Sequence, residues 1–431
     1  MYKIWEEKEK ITFLDEEENR RAVVERRNYL GFYVAGNPAE MDEAQIEAAV
    51  RIPVDGGKQL SEIVKEKRAK TACILVSDAT RGVPTKEVAP FIISELMAGG
   101  IDKRDITFIV ALGVHRDATR EEMREFLGTL YGSVAIENHD AWDERNLVYL
   151  GETSRHTPVK VNKKVYESDI VVTIGKVELH DMAGFSGGRK SILPGVASEE
   201  TIVINHRPEM IVDPGSYAGN LSGNPIHEDM LETAYMCGVD YGVNLVMNQD
   251  YKIAGVFSGE LNQAHLRAAE FLKSFCQVEL PQRPDIYMVC PGKPLSIDMY
   301  QGVKAMIAFH KLAEEGNTVI LYGDFKEGIN SGDFHEPFEK YPDLDELKDF
   351  VWKNYKIQMD HIVPIWEMLK KKIRILVVSE NVSKEDVEIM HMEKCESLQE
   401  ALDRAIKESP KPDPKVAFCP QSYRCIWKIK E

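Results

Sequence analysis

Three histidines and one lysine have the types and spacing that proton or metal chemistry requires: His115, His180, His206 and Lys190. A neutral imidazole takes or gives a proton near pH 7, and it also binds nickel, copper or zinc. His180 and Lys190 share the segment 175–191, which holds three glycines within five positions. Because glycine lets the backbone approach a ligand closely, this segment predicts a binding loop. It has neither Walker A nor Gly-x-Gly-x-x-Gly spacing.

His206 follows Asn205 in a segment, 198–210, whose pattern predicts a helix. This histidine is either a core residue or a metal ligand. One histidine cannot build a conventional protein-only metal site, which needs three or four protein ligands. Any metal bound here must therefore take most of its ligands from another molecule.

A carboxylate and a guanidinium follow the first β-rich run, 71–78, which ends in Asp78 and is followed by Arg81. Pro84 and Thr85 then open a predicted helix, whose free N–H groups attract anions. Arg81 can form two parallel hydrogen bonds to a carboxylate or phosphate. Equally, Asp78 and Arg81 could be a structural ion pair in a turn.

His115 lies between the apolar run 106–113 and a helix that the sequence predicts to begin near Arg120. Thr119 and Glu122 form the capping box that places this helix start. A lone loop histidine is usually a hydrogen-bonding bystander. Its place at the mouth of a sheet, near Asp78 and Arg81, favours a role in proton transfer instead.

A further polar group stands near position 300, after Asp298, which is a plausible N-cap. Tyr300, Gln301 and Lys304 are three to four residues apart, so they share one helix face. A phenol, an amide and an ammonium beside a helix N-terminus suit a carboxylate. The alternative is an ordinary solvated helix face.

The elements that must position these residues predict an α/β fold. In the first part of the chain, predicted helices alternate with apolar runs at 71–78, 106–113 and 169–175. In the second part, a predicted helix over 299–315 lies between apolar runs at 285–292 and 317–323. Such alternation predicts two domains with mostly parallel sheets flanked by helices, and ligands bind beyond the carboxyl ends of such strands. We expect the ligand cleft between the domains.

Three segments are predicted from the length of 431 residues and from the linker-like stretch near 277–284. They are an N-terminal α/β domain carrying the histidines (1–276), a C-terminal α/β domain contributing substrate-binding residues (277–405), and a tail that packs back on the first domain (406–431).

Composition excludes several classes of partner. The formal net charge of −17 makes nucleic acid and membrane surfaces poor partners, but local cations still permit a small anionic substrate. The seven scattered cysteines predict reduced thiols instead of a disulfide framework. The polar, charged N-terminus has no signal-peptide pattern, so we expect a cytoplasmic enzyme.

Several motifs together resemble the nickel-pincer-nucleotide lactate racemase family. In chain order they are SDATRGVPT, ALGVHR, HDMAGFSGGRKSILPG, the Asn-His pair at 205–206, and YQGVK. They cover roughly residues 45–310 in family-like order and spacing. The third motif is long enough to make a chance match implausible, whereas the first 40 residues and the region beyond about 330 match weakly.

The resemblance implies a role for each candidate residue. Lys190 would carry a nicotinate-derived mononucleotide with sulfur-containing arms through a thioamide link, and His206 would be the protein ligand to its nickel. His115 and His180 would be the two acid–base residues. The remaining roles would be cofactor binding by Asp78, Gly187, Gly188 and Arg189, and substrate binding by Arg81, Tyr300, Gln301 and Lys304. Cofactor-biosynthesis proteins would be partners, and protein made without them would lack the cofactor.

The implied reaction is racemisation or epimerisation of a 2-hydroxy acid. One histidine takes the hydroxyl proton while the α-hydrogen moves as hydride to the cofactor, and return to the other face inverts the centre. Family members acting on lactate carry a tryptophan in the second domain, and the corresponding residue of this sequence is either Tyr355 or Trp352. That departure leaves the identity of the acid open.

Two other functions remain to be distinguished from racemisation. One is an oxidoreductase that oxidises a 2-hydroxy acid with a similar cofactor or with NAD, although no dinucleotide fingerprint is present. The other is a two-lobed carboxylate-binding protein without catalysis.

Overall fold

The computed structural model describes residues 1–430, apart from the side chain of Thr80. Its strands, in chain order, are β1 (Tyr2–Glu7), β2 (Lys10–Asp15), β3 (Arg20–Glu25), β4 (Tyr29–Phe32), β5 (Ala72–Ser77), β6 (Ile106–Ala111), β7 (Ala135–Asn138), β8 (Leu147–Glu152), β9 (Pro158–Asn162), β10 (Ile170–Lys176), β11 (Leu179–His180), β12 (Gly184–Phe185), β13 (Tyr241–Met247), β14 (Ile253–Gly259), β15 (Gln277–Leu280), β16 (Ile286–Cys290), β17 (Thr318–Tyr322), β18 (Arg374–Val378), β19 (Glu393–Cys395), β20 (Val416–Pro420) and β21 (Ile426–Ile429).

The α-helices lie between these strands. In chain order they are α1 (Glu43–Arg51), α2 (Leu60–Lys67), α3 (Thr85–Gly99), α4 (Arg120–Leu127), α5 (Lys163–Tyr166), α6 (Glu199–Asn205), α7 (Pro208–Ile211), α8 (Pro225–Cys237), α9 (Leu261–Cys276), α10 (Met299–Gly302), α11 (Lys304–Ile307), α12 (Gly332–Lys340), α13 (Leu344–Lys353), α14 (Ile362–Lys370), α15 (Lys384–Ile389) and α16 (Leu398–Lys407). None of the described helices is both long and apolar enough to cross a membrane.

The first of two compact units comprises Asn37–His206 and Asp213–Phe275. Its six-stranded sheet has the order β14-β13-β10-β5-β6-β7, in which every neighbouring pair is parallel except β13 with β14. Apolar side chains cover both faces: one core joins the sheet to α1–α4, and the other joins it to β9, α5 and α8. Strands buried on both faces explain the continuous apolar runs in the sequence.

The second unit comprises Met1–Gly36, Arg207–Val212 and the chain from Cys276 onward. Its main sheet has the order β19-β18-β17-β16-β20-β4, and all of its neighbours are parallel. A separate antiparallel sheet, β1-β2-β3, contributes Phe13 and Val24 to the same core. The α/β class with mostly parallel sheets is therefore confirmed.

The predicted domain boundaries differ from these two units. Residues 1–36 belong to the second unit because β4 pairs with β20 and because the β1-β2-β3 sheet packs on the second core. The tail is part of the second unit: β20 lies inside the second sheet, and β21 pairs with β15. Pairing between strands far apart in sequence decides both differences, and no local pattern reports it.

The predicted start of α4 is confirmed, whereas two predicted helices are each divided into shorter ones. Thr119 and Glu122 form both hydrogen bonds of the capping box, and α4 begins at Arg120 as predicted. The single helix expected over 198–210 is instead α6 and α7, because Pro208 starts a new helix after the first has ended. The helix expected over 299–315 is likewise two short helices, α10 and α11.

Candidate active site

Three adjacent parallel strands bring the candidate residues of the first unit to one edge of its sheet. The strands β10, β5 and β6 are consecutive neighbours, so their carboxyl ends lie side by side. Asp78 and Arg81 follow β5, His115 follows β6, and His180 follows β10. Ligands generally bind beyond the carboxyl ends of parallel strands, so this edge is the expected ligand site of the first unit.

One backbone hydrogen bond ties two of these loops together. The N–H of Gly113, just before His115, donates to the carbonyl of Gly195, which follows the Lys190 turn, over 2.9 Å. Gly113 has a positive φ of 56°, a conformation that favours glycine. The loop with the first histidine is thereby held against the turn that carries the lysine.

A carboxylate orients His115. Nδ1 of His115 lies 2.9 Å from Oδ2 of Asp78, and the Asp78 side chain is buried. An ionised carboxylate only accepts, so Nδ1 carries the proton and Nε2 keeps its lone pair. Arg81, whose side chain is about half exposed, places Nη2 3.4 Å from that Nε2. Asp78, predicted to bind the cofactor, thus contacts the imidazole.

His180 has a comparable arrangement on a tight hairpin, in which β11 pairs with β12. Its Nδ1 lies 3.0 Å from Oδ1 of Asp181 and 3.3 Å from the backbone N–H of Ala183. Nδ1 can donate to the first or accept from the second, so either tautomer has a partner. The other ring nitrogen, Nε2, lies 3.4 Å from Nζ of Lys190. Sequence reasoning missed Asp181, although it stands directly beside His180.

Lys190 lies in the 3-10 turn Gly188–Ser191. The two glycines before it serve packing. A Cβ on Gly187 would come within 3.1 Å of the Lys176 carbonyl, and one on Gly188 within 3.0 Å of His265. The N–H of Gly188 donates to Oδ1 of Asn244. The predicted cofactor-binding glycines therefore let the turn lie close against the protein's own atoms.

His206 is buried at the end of α6, where its Nδ1 lies 3.0 Å from the Ile202 carbonyl. Burial, followed by the charges of Lys190 and His180, lowers the pKa of His206 to about 3. At neutral pH the ring is uncharged, with its proton on Nδ1 and the Nε2 lone pair available to a metal. No cluster of three or more His, Cys, Asp or Glu suited to a metal occurs among the described residues. A metal held by His206 would therefore have to take most of its ligands from another molecule.

Arg189 points into the protein. Its side chain is fully buried and donates to the carbonyl of Ala183 over 2.8 Å, and its Nη1 lies 2.8 Å from Nε2 of His265. The prediction that Arg189 binds the cofactor rested on its place beside Lys190. The contacts of the Arg189 guanidinium are instead with the Ala183 carbonyl and His265.

Three of the four predicted substrate-binding residues, Tyr300, Gln301 and Lys304, lie in the second unit, whereas Arg81 lies in the first. Asp298 caps α10 as predicted, because its side chain accepts from the N–H of Gln301 over 2.7 Å. Nζ of Lys304 donates to Oε1 of Gln301 over 2.8 Å, which confirms that these two side chains share a face. The hydroxyl of Tyr300 donates to Oδ1 of Asp360 over 3.2 Å.

Two residues that follow α13 in the sequence, Asp360 and His361, contact the side chain of Tyr300. Trp352 packs against Trp366, with ring centroids 5.6 Å apart, so it belongs to the α13–α14 interface. His361 instead lies against Tyr300, with centroids 4.6 Å apart, and Asp360 accepts its hydroxyl. The adjacent Asp-His pair before an apolar helix was the available signal. Tyr355 is partly buried.

Comparison with known families agrees with this layout. The family model described as the lactate racemase N-terminal domain matches residues 15–219, and the one described as the lactate racemase C-terminal domain matches residues 282–426. The chain is 31% identical to the lactate racemase of Lactiplantibacillus plantarum over 394 residues, which cover 89% of this chain and 92% of that protein. It is 29% identical to the lactate racemase of Thermoanaerobacterium thermosaccharolyticum, over 90% and 91% of the two chains.

Solved structures give the same result. The structure of the lactate racemase apoprotein from Thermoanaerobacterium thermosaccharolyticum superposes with a TM-score of 0.87 at 27% identity, covering 95% of this chain and 98% of that chain. A Thermotoga maritima protein superposes with a TM-score of 0.67 at 16% identity, covering 92% of this chain and all of that chain, and it shows the fold alone.

Buried neutral histidines predict that stability falls in mild acid. Burial lowers the pKa of both His206 and His227 to about 3. Between that value and about 6.5, the unfolded chain binds protons that the native protein does not, so stability drops as pH falls through this window. Each such histidine contributes a slope of about 1.4 kcal/mol per pH unit. Urea unfolding at pH 7.5, 6.0 and 5.0 measures the total slope.

His227→Gln provides the matched variant, because it removes one of these titrating groups. We expect its unfolding free energy to depend on pH less steeply by about one proton, which is about 1.4 kcal/mol per pH unit. An unchanged slope in this variant would contradict the assignment of His227 as a buried neutral group.

Proposed function

Because this chain belongs to the lactate racemase family and is an isomerase, we propose that it interconverts the configurations of a 2-hydroxy acid of the lactate type at C2. The observation that carries the proposal is the pair His115 and His180. Each has its Nδ1 about 3 Å from an aspartate, Asp78 or Asp181, and each keeps Nε2 for proton transfer. Inversion at one carbon through a planar intermediate needs a proton acceptor for each hand of the substrate, and two such imidazoles supply them.

The proton path runs through the two Nε2 atoms. One imidazole takes the hydroxyl proton of the bound acid as the carbon becomes planar. The other gives a proton to the oxygen when the opposite hand forms. Asp78 and Asp181 stabilise the imidazolium that each transfer creates, since a carboxylate beside Nδ1 favours the charged ring. The roles of the two histidines exchange when the reaction runs in reverse.

Lys190 and His206 would hold a nickel-pincer nucleotide, through a thioamide link and a nickel–nitrogen bond. When bound, this group supplies the acceptor and donor for the substrate's α-hydrogen. The residues fit it: His206 is neutral and its Nδ1 is engaged with the Ile202 carbonyl, so Nε2 would be the coordinating atom. A single histidine suits a nickel ion whose other ligands arrive with the nucleotide. Proteins that build this nucleotide would therefore be needed for activity.

Side chains in each unit present hydrogen-bond donors that suit a substrate carboxylate. Arg81 already lies beside Nε2 of His115, so a carboxylate that it binds stays close to that base. In the second unit, Lys304 donates to the amide oxygen of Gln301, which leaves the amide N–H groups of Gln301 directed to other acceptors. Both side chains therefore present donors, as a carboxylate requires. We assign Tyr300 to the same group.

Lys190→Arg keeps the positive charge beside His180 but cannot form a thioamide. In cells that also make the cofactor-building proteins, we expect the wild-type protein to gain the nucleotide mass on a peptide containing Lys190, and this variant to gain none. Intact-mass and peptide mass spectrometry measure both. Lys176→Arg, at the end of β10, is the control and should load normally. Absence of an adduct from the wild-type protein in such cells would contradict the cofactor assignment.

A chiral assay on the loaded protein tests the reaction class. We expect a single enantiomer of the substrate acid to give the other enantiomer with no net accumulation of the 2-keto acid. Steady production of keto acid without the opposite enantiomer would identify an oxidoreductase. Binding of the acid with no turnover by the loaded protein would identify a carboxylate-binding protein.

Asp78→Asn tests how His115 is held. The amide can still contact Nδ1 but does not stabilise an imidazolium, so we expect kcat to fall by about 10²-fold, within the range that general acid–base groups contribute. The adduct on Lys190 should remain, because Asp78 acts on the imidazole. Steady-state rates and intact mass are measured together. Loss of the adduct with an unchanged kcat per loaded site would instead make Asp78 a cofactor-binding residue, as the sequence predicts.

A further inference from the structure

The guanidinium of Arg189 is buried without a carboxylate partner. The residue is 1% exposed, and no Asp or Glu among residues 1–430 lies within salt-bridge distance of it. Burial lowers the pKa of Arg189 to about 9, so the group still carries its charge at pH 7. A buried, unpaired charge is expensive, and an apolar side chain of similar size would cost less. The charge therefore calls for a role beyond packing.

Backbone carbonyls from one short loop take the place of a counter-ion. Nη2 of Arg189 donates to Ala183 over 2.8 Å, and Nη1 lies 3.4 Å from the carbonyl oxygen of Gly187 and 3.5 Å from that of Ser186. These three oxygens belong to the segment 183–187. Their convergence on one planar cation fixes the course of that backbone, because each carbonyl must point at the guanidinium.

His265, on α9, closes the arrangement from the other side. Its Nε2 lies 2.8 Å from Nη1 of Arg189 and 2.9 Å from the Ser186 carbonyl. Since a guanidinium only donates and a carbonyl only accepts, Nε2 satisfies one of these two contacts in each tautomer of a neutral imidazole. Burial and the charge of Arg189 lower the pKa of His265 well below its usual value, which agrees with this state. The imidazole also packs against Gly188, two residues before Lys190.

The segment 183–187 connects the two groups that the proposed reaction needs. His180 precedes it by three residues, and Lys190 follows it by three. The N–H of Ala183 contacts Nδ1 of His180, while the carbonyl of the same residue accepts from Arg189. The position of the guanidinium therefore affects the positions of both His180 and Lys190, because the same peptide segment links them.

We propose that Arg189 and His265 form a positioning pair that shapes the 183–187 backbone, so that Lys190 and His180 stand ready before any cofactor arrives. The expected effect on cofactor loading rests on the proposed attachment at Lys190. The expected effect on the conformation of segment 183–187 does not depend on any cofactor. It replaces direct contact between Arg189 and the cofactor as the role of this residue.

Hydrogen exchange of the cofactor-free protein tests the shaping directly. In Arg189→Met we expect amides of peptides covering 183–190 to exchange faster by at least tenfold, with exchange in β16–β18 of the second unit unchanged. His265→Gln keeps an acceptor for the guanidinium but loses the ring against Gly188, and it should show a smaller increase. Arg145→Met, at an exposed arginine paired with Asp143, is the control and should leave the loop unchanged.

Loading in cells that make the cofactor-building proteins tests the consequence. We expect the modified fraction of Lys190 to fall about 10- to 100-fold in Arg189→Met, a range typical of residues that support a ligand without touching it. His265→Gln should load to an intermediate extent. The loaded molecules of either variant should have the same KM for the substrate as the loaded wild-type protein.

Three outcomes would overturn the inference. Unchanged exchange at 183–190 together with lost loading would mean that Arg189 contacts the cofactor directly. Faster exchange with normal loading would mean that the pair stabilises the loop with no bearing on Lys190. If Arg189→Met does not fold, normal exchange and normal loading in His265→Gln would overturn the pair. A wild-type protein without an adduct would instead remove the proposed function and leave the exchange result standing.

Discussion

The parallel pairing of β10, β5 and β6 is the constraint on which the site depends. Cα pairing runs from Ile170 to Ala72 and from Ala72 to Ile106, so the three strands end together at one edge of the sheet. Each strand is followed by a loop that carries a different group: Asp78 and Arg81 after β5, His115 after β6, and His180 after β10. A slip of two residues in either pairing would move one loop by about 7 Å along the strand, which exceeds the reach of a hydrogen bond. The buried apolar side chains on both faces of these strands prevent such a slip.

The chemistry rests on a repeated local device, an imidazole whose Nδ1 faces a carboxylate. His115 uses a partner from the neighbouring strand end, Asp78, whereas His180 uses the next residue in the chain, Asp181. The Nδ1 of His206 lies instead beside a backbone carbonyl, and burial lowers the pKa of His206 to about 3. These surroundings agree with the proposed roles of two histidines in proton transfer and one as a ligand. The residue type, which is histidine in all three cases, does not distinguish these roles.

Local signals in the sequence predicted what local interactions determine. The apolar runs predicted β5, β6 and β10 of the first sheet and β16 and β17 of the second. The side chains of Thr119 and Asp298 located two helix starts through their own hydrogen bonds. The motif around Lys190 identified the family. The placement of residues 1–36 was not predictable, because β4 pairs with β20 almost 390 residues later. The direction of Arg189 was equally hidden, since it depends on His265, which is 76 residues away on another element.

Racemisation of the substrate in deuterium oxide tests the central claim most directly. If two histidines move only the hydroxyl proton while the α-hydrogen is held by the bound group and returned, the opposite enantiomer should form with protium at C2. Nuclear magnetic resonance of the separated product measures this. Deuterium at C2 of the newly formed enantiomer, appearing at the rate of racemisation, would show that a histidine removes the α-hydrogen as a proton, and it would contradict this account.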